Sequence, residues 1–103
     1  MKAIIEGLRY DTEKATEVAS ANSGHHSQDP VWWEETLYKT RKGNWFLHGE
    51  GGARSKYGNT SGQYCNPGSR ILPLTDEDAF EWMERHGEVD ALETLMGEEI
   101  EDA

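Results

Sequence analysis

Two neighbouring stretches in the middle of the chain alternate in side-chain character. These are residues 31–40, VWWEETLYKT, and residues 44–50, NWFLHGE, and both are rich in aromatic and β-branched side chains. A period of two is that of a β-strand, and this composition favours a pleated, half-buried surface. The residues between them, RKGN at 41–44, are typical of a hairpin turn. We therefore predict a β-hairpin here.

The N-terminal third contains two shorter patterns. Residues 2–6, KAIIE, predict a first strand followed by a turn at Gly7. Residues 10–21, YDTEKATEVASA, predict a short helix, because Asp11 or Thr12 can cap its N-terminus. The side chains on its apolar face are Ala15, Val18 and Ala19.

The strongest local signal lies in residues 74–87, LTDEDAFEWMERHG. Thr75 is a preferred N-cap residue and Asp78 stands at the capping-box position, while Gly87 favours a stop. The apolar stripe of this helix consists of Ala79, Phe80, Trp82, Met83 and His86. We predict an acidic, amphipathic helix.

The remaining segments complete the predicted fold. Residues 70–74, RILPL, predict a strand that ends at Pro73, and residues 88–96, EVDALETLM, predict a second C-terminal helix. The element order is then β-α-β-β-β-α-α, which indicates a small α+β domain over residues 1–97. In this domain a small antiparallel sheet packs against C-terminal acidic helices. Residues 98–103 are predicted to be an acidic, solvated tail.

A long glycine-rich segment, residues 51–69, shows no periodicity. Loops of this length are uncommon in compact domains and are usually functional or mobile. Backbone amides at Gly51 and Gly52, together with Arg54 and Lys56, offer a small-anion cradle. The spacing of a phosphate-binding loop is absent, and no helix clearly follows.

The sequence contains no recognisable catalytic or metal-binding constellation. The histidines at 25, 26, 48 and 86 and the single Cys65 lack the paired, closely spaced ligands of zinc sites. Cys65 and His48 could form a thiol–imidazole pair if the loop folded back, but nothing in the sequence orients the histidine. We predict no catalytic residue, no metal and no cofactor.

The four tryptophans divide into two groups. Trp32 and Trp33 are adjacent, so on a strand they would point to opposite faces. One of them is predicted to lie in the core and the other to be a half-exposed anchor for a partner, because tryptophan is common at interface hot spots. Trp45 and Trp82 are predicted to be core residues.

Charge is unevenly distributed along the 103 residues. The net charge is −10, yet residues 1–74 carry 8 acidic and 9 basic side chains, whereas residues 75–103 carry 12 acidic and one basic. Direct binding to nucleic acid is disfavoured, since phosphates require lysine and arginine. A basic partner is favoured. The acidic side chains on the predicted solvent face are Asp76, Glu77, Asp78, Glu81, Glu84, Glu88, Asp90 and Glu93.

Several features of the sequence indicate where in the cell the protein is located. No apolar run approaches the roughly 20 residues that would span a bilayer. The N-terminus, MKAIIEGLRYD, becomes charged too early for a signal peptide. One cysteine excludes an internal disulfide framework. These features predict a cytoplasmic protein without a membrane association.

Three blocks of the chain resemble a known group of proteins. They are RYDTEKATEVAS at 9–20, ETLYKTRKGNWFLHGEGGARSKY at 35–57 and ILPLTDEDAFEWMERHGEVDALETLMG at 71–97. They resemble a family of small proteins carried by phages, prophages and integrative elements, mostly of unknown function. The resemblance implies a mobile-element accessory role in a bacterial host cell and supplies no catalytic residues. Small acidic proteins of such elements often include inhibitors of host defence, anti-CRISPR proteins among them.

These observations give a leading functional hypothesis and two alternatives. The leading one is a non-enzymatic interaction protein whose acidic helical face, as a nucleic-acid mimic, occupies a basic groove on a nucleic-acid-handling host protein or ribonucleoprotein complex. The first alternative is a small enzyme or ligand-binding module that uses the loop from Gly49 to Cys65. The second is a homodimer formed through an open sheet edge near Trp32 or Trp45.

Overall fold

The chain folds into a four-stranded antiparallel sheet with a helix on one face and a β-hairpin on the other. The computed structural model describes residues 1–26, 28–61 and 64–87. The elements are β1 (Lys2–Ile5), β2 (Leu8–Asp11), β3 (Thr16–Asn22), β4 (Trp33–Lys39), β5 (Trp45–Gly51), β6 (Asn59–Ser61), β7 (Tyr64–Asn66), β8 (Gly68–Leu74) and α1 (Asp76–Arg85). This is a small α+β fold, as predicted.

The central sheet has the strand order β3-β4-β5-β8, and every neighbouring pair is antiparallel. The predicted hairpin is β4–β5. Its turn is closed by the Thr40 amide, which donates to the Asn44 carbonyl at 2.8 Å, and by Gly43, whose φ of 87° requires glycine. Trp45 lies on the central strand β5 and Trp32 directly precedes the central strand β4, so neither marks an open sheet edge. The homodimer itself stays a prediction.

The core between the sheet and α1 explains where two tryptophans lie. Leu37 of β4 lies opposite Leu47 of β5, and both side chains face the helix. The buried members of this core are Ala19, Leu37, Trp45, Leu47, Ala79, Trp82 and Met83. The prediction that Trp45 and Trp82 are core residues is confirmed.

A second, smaller core fills the opposite face of the sheet. Successive residues of a strand point to opposite faces, so Phe46 faces away from α1 and meets the β1–β2 hairpin. Its ring contacts Tyr10 edge-on, with centroids 5.5 Å apart, and stacks on Tyr38 at 5.1 Å. Ile71 completes this cluster. The sheet is therefore covered on both faces.

The predicted helix over residues 10–21 is wrong. This stretch contains the end of β2, a turn and the whole of β3. Asp11, expected to cap a helix, instead accepts a hydrogen bond from the amide of Glu13 at 3.0 Å, which closes a local turn. Ala19 then pairs with Leu37 across the β3–β4 ladder. Pairing with a neighbouring strand overrides the local helical signal.

The segment at 51–69 and the strand after it also differ from the prediction. Within this segment β6 and β7 pair as a short hairpin, and β8 begins at Gly68. Pro73 does not end β8 but lies within it, opposite Phe46. Proline lacks an amide hydrogen, and it is tolerated here because β8 is the outer strand of the sheet.

The helix α1 forms where the sequence predicts it. The Thr75 hydroxyl accepts a hydrogen bond from the Asp78 amide at 3.1 Å, and the Asp78 carboxylate accepts one from the Thr75 amide at 3.5 Å. Gly87 follows the helix with a φ of 70°.

The second predicted helix at 88–96 and the tail at 98–103 lie outside the described residues. The domain over residues 1–97 therefore stays a prediction, and the predicted order β-α-β-β-β-α-α becomes eight strands and one helix in the described part. No helix in that part is long and apolar enough to cross a membrane.

Replacing Thr75 with alanine is expected to destabilise the protein by about 1 kcal/mol, because the Asp78 amide loses its acceptor. Thr75→Ser retains the hydroxyl and should stay within a few tenths of a kcal/mol of the original chain. Urea unfolding of both variants measures the difference. Equal stability of the two variants would show that the cap contributes nothing.

Candidate functional site

A buried carboxylate lies on the helix-facing side of the central sheet. Glu35 is in the middle of β4, two residues from Leu37, so both side chains point towards α1. The residue is only 4% exposed. A charged group at such a position is costly unless hydrogen bonds and an opposite charge compensate it.

Three donors from two different segments surround this carboxylate. The Tyr57 hydroxyl donates to Oε2, and Lys56 Nζ lies 3.0 Å from the same oxygen. From α1, Trp82 Nε1 donates to Oε1 at 3.2 Å. His86 Nε2 lies 4.0 Å from Oε1. Glu35 thereby connects the sheet, the 52–58 loop and the helix through one side chain.

The position of Tyr57 depends on a glycine. Gly49 of β5 lies directly opposite Glu35, and a Cβ placed there would come within 2.0 Å of the Tyr57 ring. The ring therefore occupies the space that a side chain at position 49 would fill, and Tyr57 is 2% exposed. Gly51 is similar, because its Cβ would lie 2.2 Å from the Ser55 hydroxyl oxygen. The 52–58 loop thus packs directly on the face of β5 that Gly49 and Gly51 leave without side chains.

The electrostatics of the network keep Glu35 charged and Tyr57 neutral. Burial alone would raise the pKa of Glu35, but hydrogen bonds from Tyr57, Lys56 and Trp82 outweigh it and lower this pKa below its ordinary value. Burial and the adjacent Glu35 carboxylate raise the pKa of Tyr57. An enclosed, strongly stabilised carboxylate is poorly suited to accept a proton from a substrate, so the geometry favours a structural role.

Aromatic rings surround the cationic side of this network. Lys56 Nζ lies 4.4 Å from the centroid of Trp33, and Arg70 lies 5.2 Å from the centroid of Tyr57. His86 packs against Trp33 and Trp82, at centroid distances of 6.2 and 4.7 Å. Trp33 is thus half-buried beside the C-terminal end of α1.

The two adjacent tryptophans are not related as predicted. β4 begins at Trp33, so Trp32 precedes the strand and the expected alternation between faces does not apply. Both residues are half-buried, and neither belongs to the buried core. The Trp32 carbonyl accepts from the Gly52 amide at 2.7 Å, which ties this end of β4 to the 52–58 loop.

The predicted anion cradle is not formed by the residues assigned to it. Gly51 belongs to β5, and the amide of Gly52 donates to Trp32. The amide of Arg54 donates to the Pro30 carbonyl at 2.7 Å. Lys56 is paired with Glu35. Because these amides and this cation are engaged within the protein, they are not directed at a bound anion.

The acidic side chains of α1 form an exposed surface. Of the eight acidic side chains assigned to the predicted solvent face, five fall on this helix, and all five are exposed: Asp76, Glu77, Asp78, Glu81 and Glu84. In residues 1–26, 28–61 and 64–87, no lysine, arginine or histidine lies within 4.0 Å of any of them. The other three, Glu88, Asp90 and Glu93, lie outside the described residues. We call the five residues the acidic face.

Metal ligands do not cluster in the described part of the chain, where no group of three or more histidine, cysteine, aspartate or glutamate residues could hold an ion. His25 lies 3.7 Å from Asp29 in a surface loop. His48 is on β5, opposite Ile71 in the ladder. The predicted lack of a metal, a cofactor and catalytic residues stays a prediction.

The central residue of this network, Glu35, was missed by sequence reasoning. Two signals in the chain could have indicated it. Glu35 has the same strand parity as Leu37, so a core-facing Leu37 implies an inward-pointing charge. In a hairpin centred on residues 40–44, position 35 falls opposite Gly49, which provides space rather than a side chain.

No known protein family, no curated protein and no solved structure matches the chain. The resemblance to small phage and prophage proteins therefore stays a prediction.

Gly49→Ala is expected to destabilise the protein by about 1–3 kcal/mol, because the new methyl group overlaps the Tyr57 ring. In a Tyr57→Ala background the same substitution should cost much less, since the ring is gone. Urea unfolding of the single and double variants gives the coupling between the two positions. Additive effects would contradict the packing described here.

The acid stability of the protein should depend on Glu35. The lowered pKa of Glu35 in the folded state contributes stability above the ordinary glutamate value of about 4.3, and this contribution is lost as the pH falls through the folded-state value. Glu35→Gln should therefore be less stable than the original chain at pH 7, by roughly 1–3 kcal/mol, and the difference should shrink at pH 3. Unfolding by urea at several pH values measures this.

Glu34→Gln is the matched control, because Glu34 is the neighbouring residue on the opposite face of β4. It should change stability little at any pH. A constant difference between Glu35→Gln and the original chain from pH 7 to pH 3 would rule out the proposed role of the carboxylate.

Proposed function

We propose that this protein is a non-enzymatic interaction protein that binds a basic, nucleic-acid-handling partner through the acidic face of α1. The observation that carries the proposal is the exposure of all five carboxylates, none of which is ion-paired with a described residue. Carboxylates at i,i+3 and i,i+4 positions repel one another and weaken an isolated helix by about 0.2–0.5 kcal/mol per pair. A positively charged partner would relieve this repulsion.

The acidic face is displayed on a helix that is held in place. Ala79, Trp82 and Met83 are buried against the sheet, and Trp82 also donates to Glu35. The capping box fixes the start of the helix. Because the helix backbone is already fixed, little backbone freedom is lost on binding, and this preorganisation favours affinity.

An aromatic residue lies beside the C-terminal end of α1. Trp33 is half-buried, and its ring contacts His86, which caps the C-terminal end of α1. Tryptophan beside a charged surface is a frequent anchor in protein interfaces. This supports Trp33 as the anchor, because its ring lies beside the helix that carries the acidic face.

The partner is expected to be a protein whose basic groove otherwise holds nucleic acid. A surface that presents carboxylates in place of phosphates can occupy such a groove and exclude the nucleic acid. The resemblance to proteins of phages and integrative elements supports a host defence complex as the target, and inhibition of that complex as the outcome. The alternative is a ligand-binding module or enzyme in the Gly49–Cys65 loop. It receives no support from the amides of Gly52 and Arg54, because they donate to backbone carbonyls of Trp32 and Pro30.

Glu81→Lys combined with Glu84→Lys should abolish partner binding. Both residues are exposed on α1 and take no part in the cap, so the fold should persist. The original chain, immobilised and exposed to bacterial host lysate, is expected to capture a basic nucleic-acid-handling protein that mass spectrometry identifies. Capture should weaken as salt rises, because exposed charges are screened over about 10 Å at 0.1 M. Added nucleic acid should compete.

The control variant carries Glu17→Lys and Glu50→Lys, which change the net charge by the same amount on the opposite face of the sheet. It should retain the captured protein. The proposal fails if both double variants lose binding equally, if binding ignores salt, or if no partner is captured.

A further inference from the structure

A groove of about 520 Å³ opens on the other side of the sheet from α1. It lies between the β1–β2 hairpin with its following turn and the β4–β5 turn. Neither the acidic face nor the Glu35 network contributes to it. Its volume falls within the range of 300–1,000 Å³ that is typical of small-molecule sites.

Positive charge is concentrated in this groove. Arg9, Lys14, Arg41 and Lys42 all line it, although the whole chain has only 10 basic residues and a net charge of −10. Each basic side chain comes from β2, the turn after it, or the β4–β5 turn. In the described ranges no carboxylate lies within 4.0 Å of any of the four cationic groups. Like charges that line one groove without an ion-paired carboxylate favour an anionic ligand.

One carboxylate also lines the groove, and its contacts limit its effect. Asp11 Oδ1 accepts from the Glu13 amide at 3.0 Å, and the Asp11 carbonyl accepts from the amides of Lys14 and Ala15 at 3.2 and 3.1 Å. The aspartate is thus occupied in shaping the turn that carries Lys14. With four basic groups and one acidic group, the lining remains positive by three charges.

The groove also has an apolar part and well-defined walls. Tyr10, 6% exposed and packed on Phe46, forms part of the lining together with Leu8, which is 43% exposed. The opposite wall is fixed by Thr40, whose hydroxyl accepts from the Asn44 amide at 3.0 Å and whose carbonyl accepts from Gly43 at 2.9 Å. Apolar surface beside several cations suits a molecule with both an organic and a strongly anionic part.

We propose that this groove binds a phosphorylated organic small molecule of nucleotide size. The guanidinium and ammonium groups would bind the phosphate oxygens through charge-assisted hydrogen bonds, and Leu8 and Tyr10 would contact the organic part. A nucleic-acid duplex is not the favoured ligand. It needs an extended basic surface, whereas the sequence outside these residues is dominated by acidic side chains.

Isothermal titration with adenosine triphosphate, in buffer free of divalent cations, tests the proposal on the full chain. Tripolyphosphate and adenosine serve as the anionic and organic fragments. We expect the nucleotide to bind more tightly than tripolyphosphate and adenosine not to bind detectably. Arg41→Ala combined with Lys42→Ala should weaken nucleotide binding at least about tenfold, because two charge-assisted contacts are lost.

The matched control is Arg54→Ala combined with Arg85→Ala, which removes the same charge from exposed positions outside the groove. It should bind the nucleotide within about twofold of the original chain. Thermal unfolding should give the same midpoint for both double variants and so exclude a folding defect. Equal losses in the two variants, no nucleotide binding, or tripolyphosphate binding as tight as that of the nucleotide would each overturn the proposal.

Two further readouts separate other occupants of the groove. A short DNA duplex that binds more tightly than the nucleotide, and depends on Arg41 and Lys42, would reassign the groove to nucleic acid. A mass in solution that falls from dimer or higher to monomer on Arg41→Ala and Lys42→Ala would reassign it to the acidic face of a second copy. Both outcomes contradict the proposal and leave the proposed function of the acidic face to its own test.

Discussion

The structure depends on the compensation of one buried negative charge. Glu35 is enclosed between the sheet and α1, where an uncompensated carboxylate would be strongly unfavourable. Its oxygens are therefore satisfied by Tyr57, Lys56 and Trp82, and these donors come from the loop after β5 and from the helix. Both segments must occupy their observed positions for the carboxylate to be tolerated. The loop that looks structureless in the sequence is thereby fixed against the sheet.

The sheet also separates two regions of opposite charge. On one face, the helix that buries Trp82 presents five carboxylates to solvent. On the other, the β1–β2 hairpin with its following turn and the β4–β5 turn bring four basic side chains to one groove. The net charge of −10 conceals this arrangement, because it sums over two surfaces of opposite charge. The two proposed activities can therefore be tested, and can fail, independently.

Local sequence signals predicted the elements whose stability is local. Helix α1 carries its own capping box and apolar stripe, and the β4–β5 hairpin carries its own turn, so both were predictable. The strand in the stretch at 10–21 was not predictable, because it forms by pairing with β4. Local propensity carries no information about that distant partner. Trp45 and Trp82 could be assigned to the core because they lie in the predicted hairpin and in the apolar stripe of the predicted helix. The Glu35 network combines residues 35, 57 and 82, and only the tertiary fold reveals that they meet.

Pro73 in the outer strand β8 has a consequence for how the sheet ends. An outer strand is a template on which a strand from another molecule can add, and repeated addition leads to aggregation. A proline removes one amide donor from that template. At the other edge, the register of β3 shifts between Glu17 and Ala19, which interrupts its regular ladder. Both margins of the sheet thus resist extension into a continuous intermolecular ribbon.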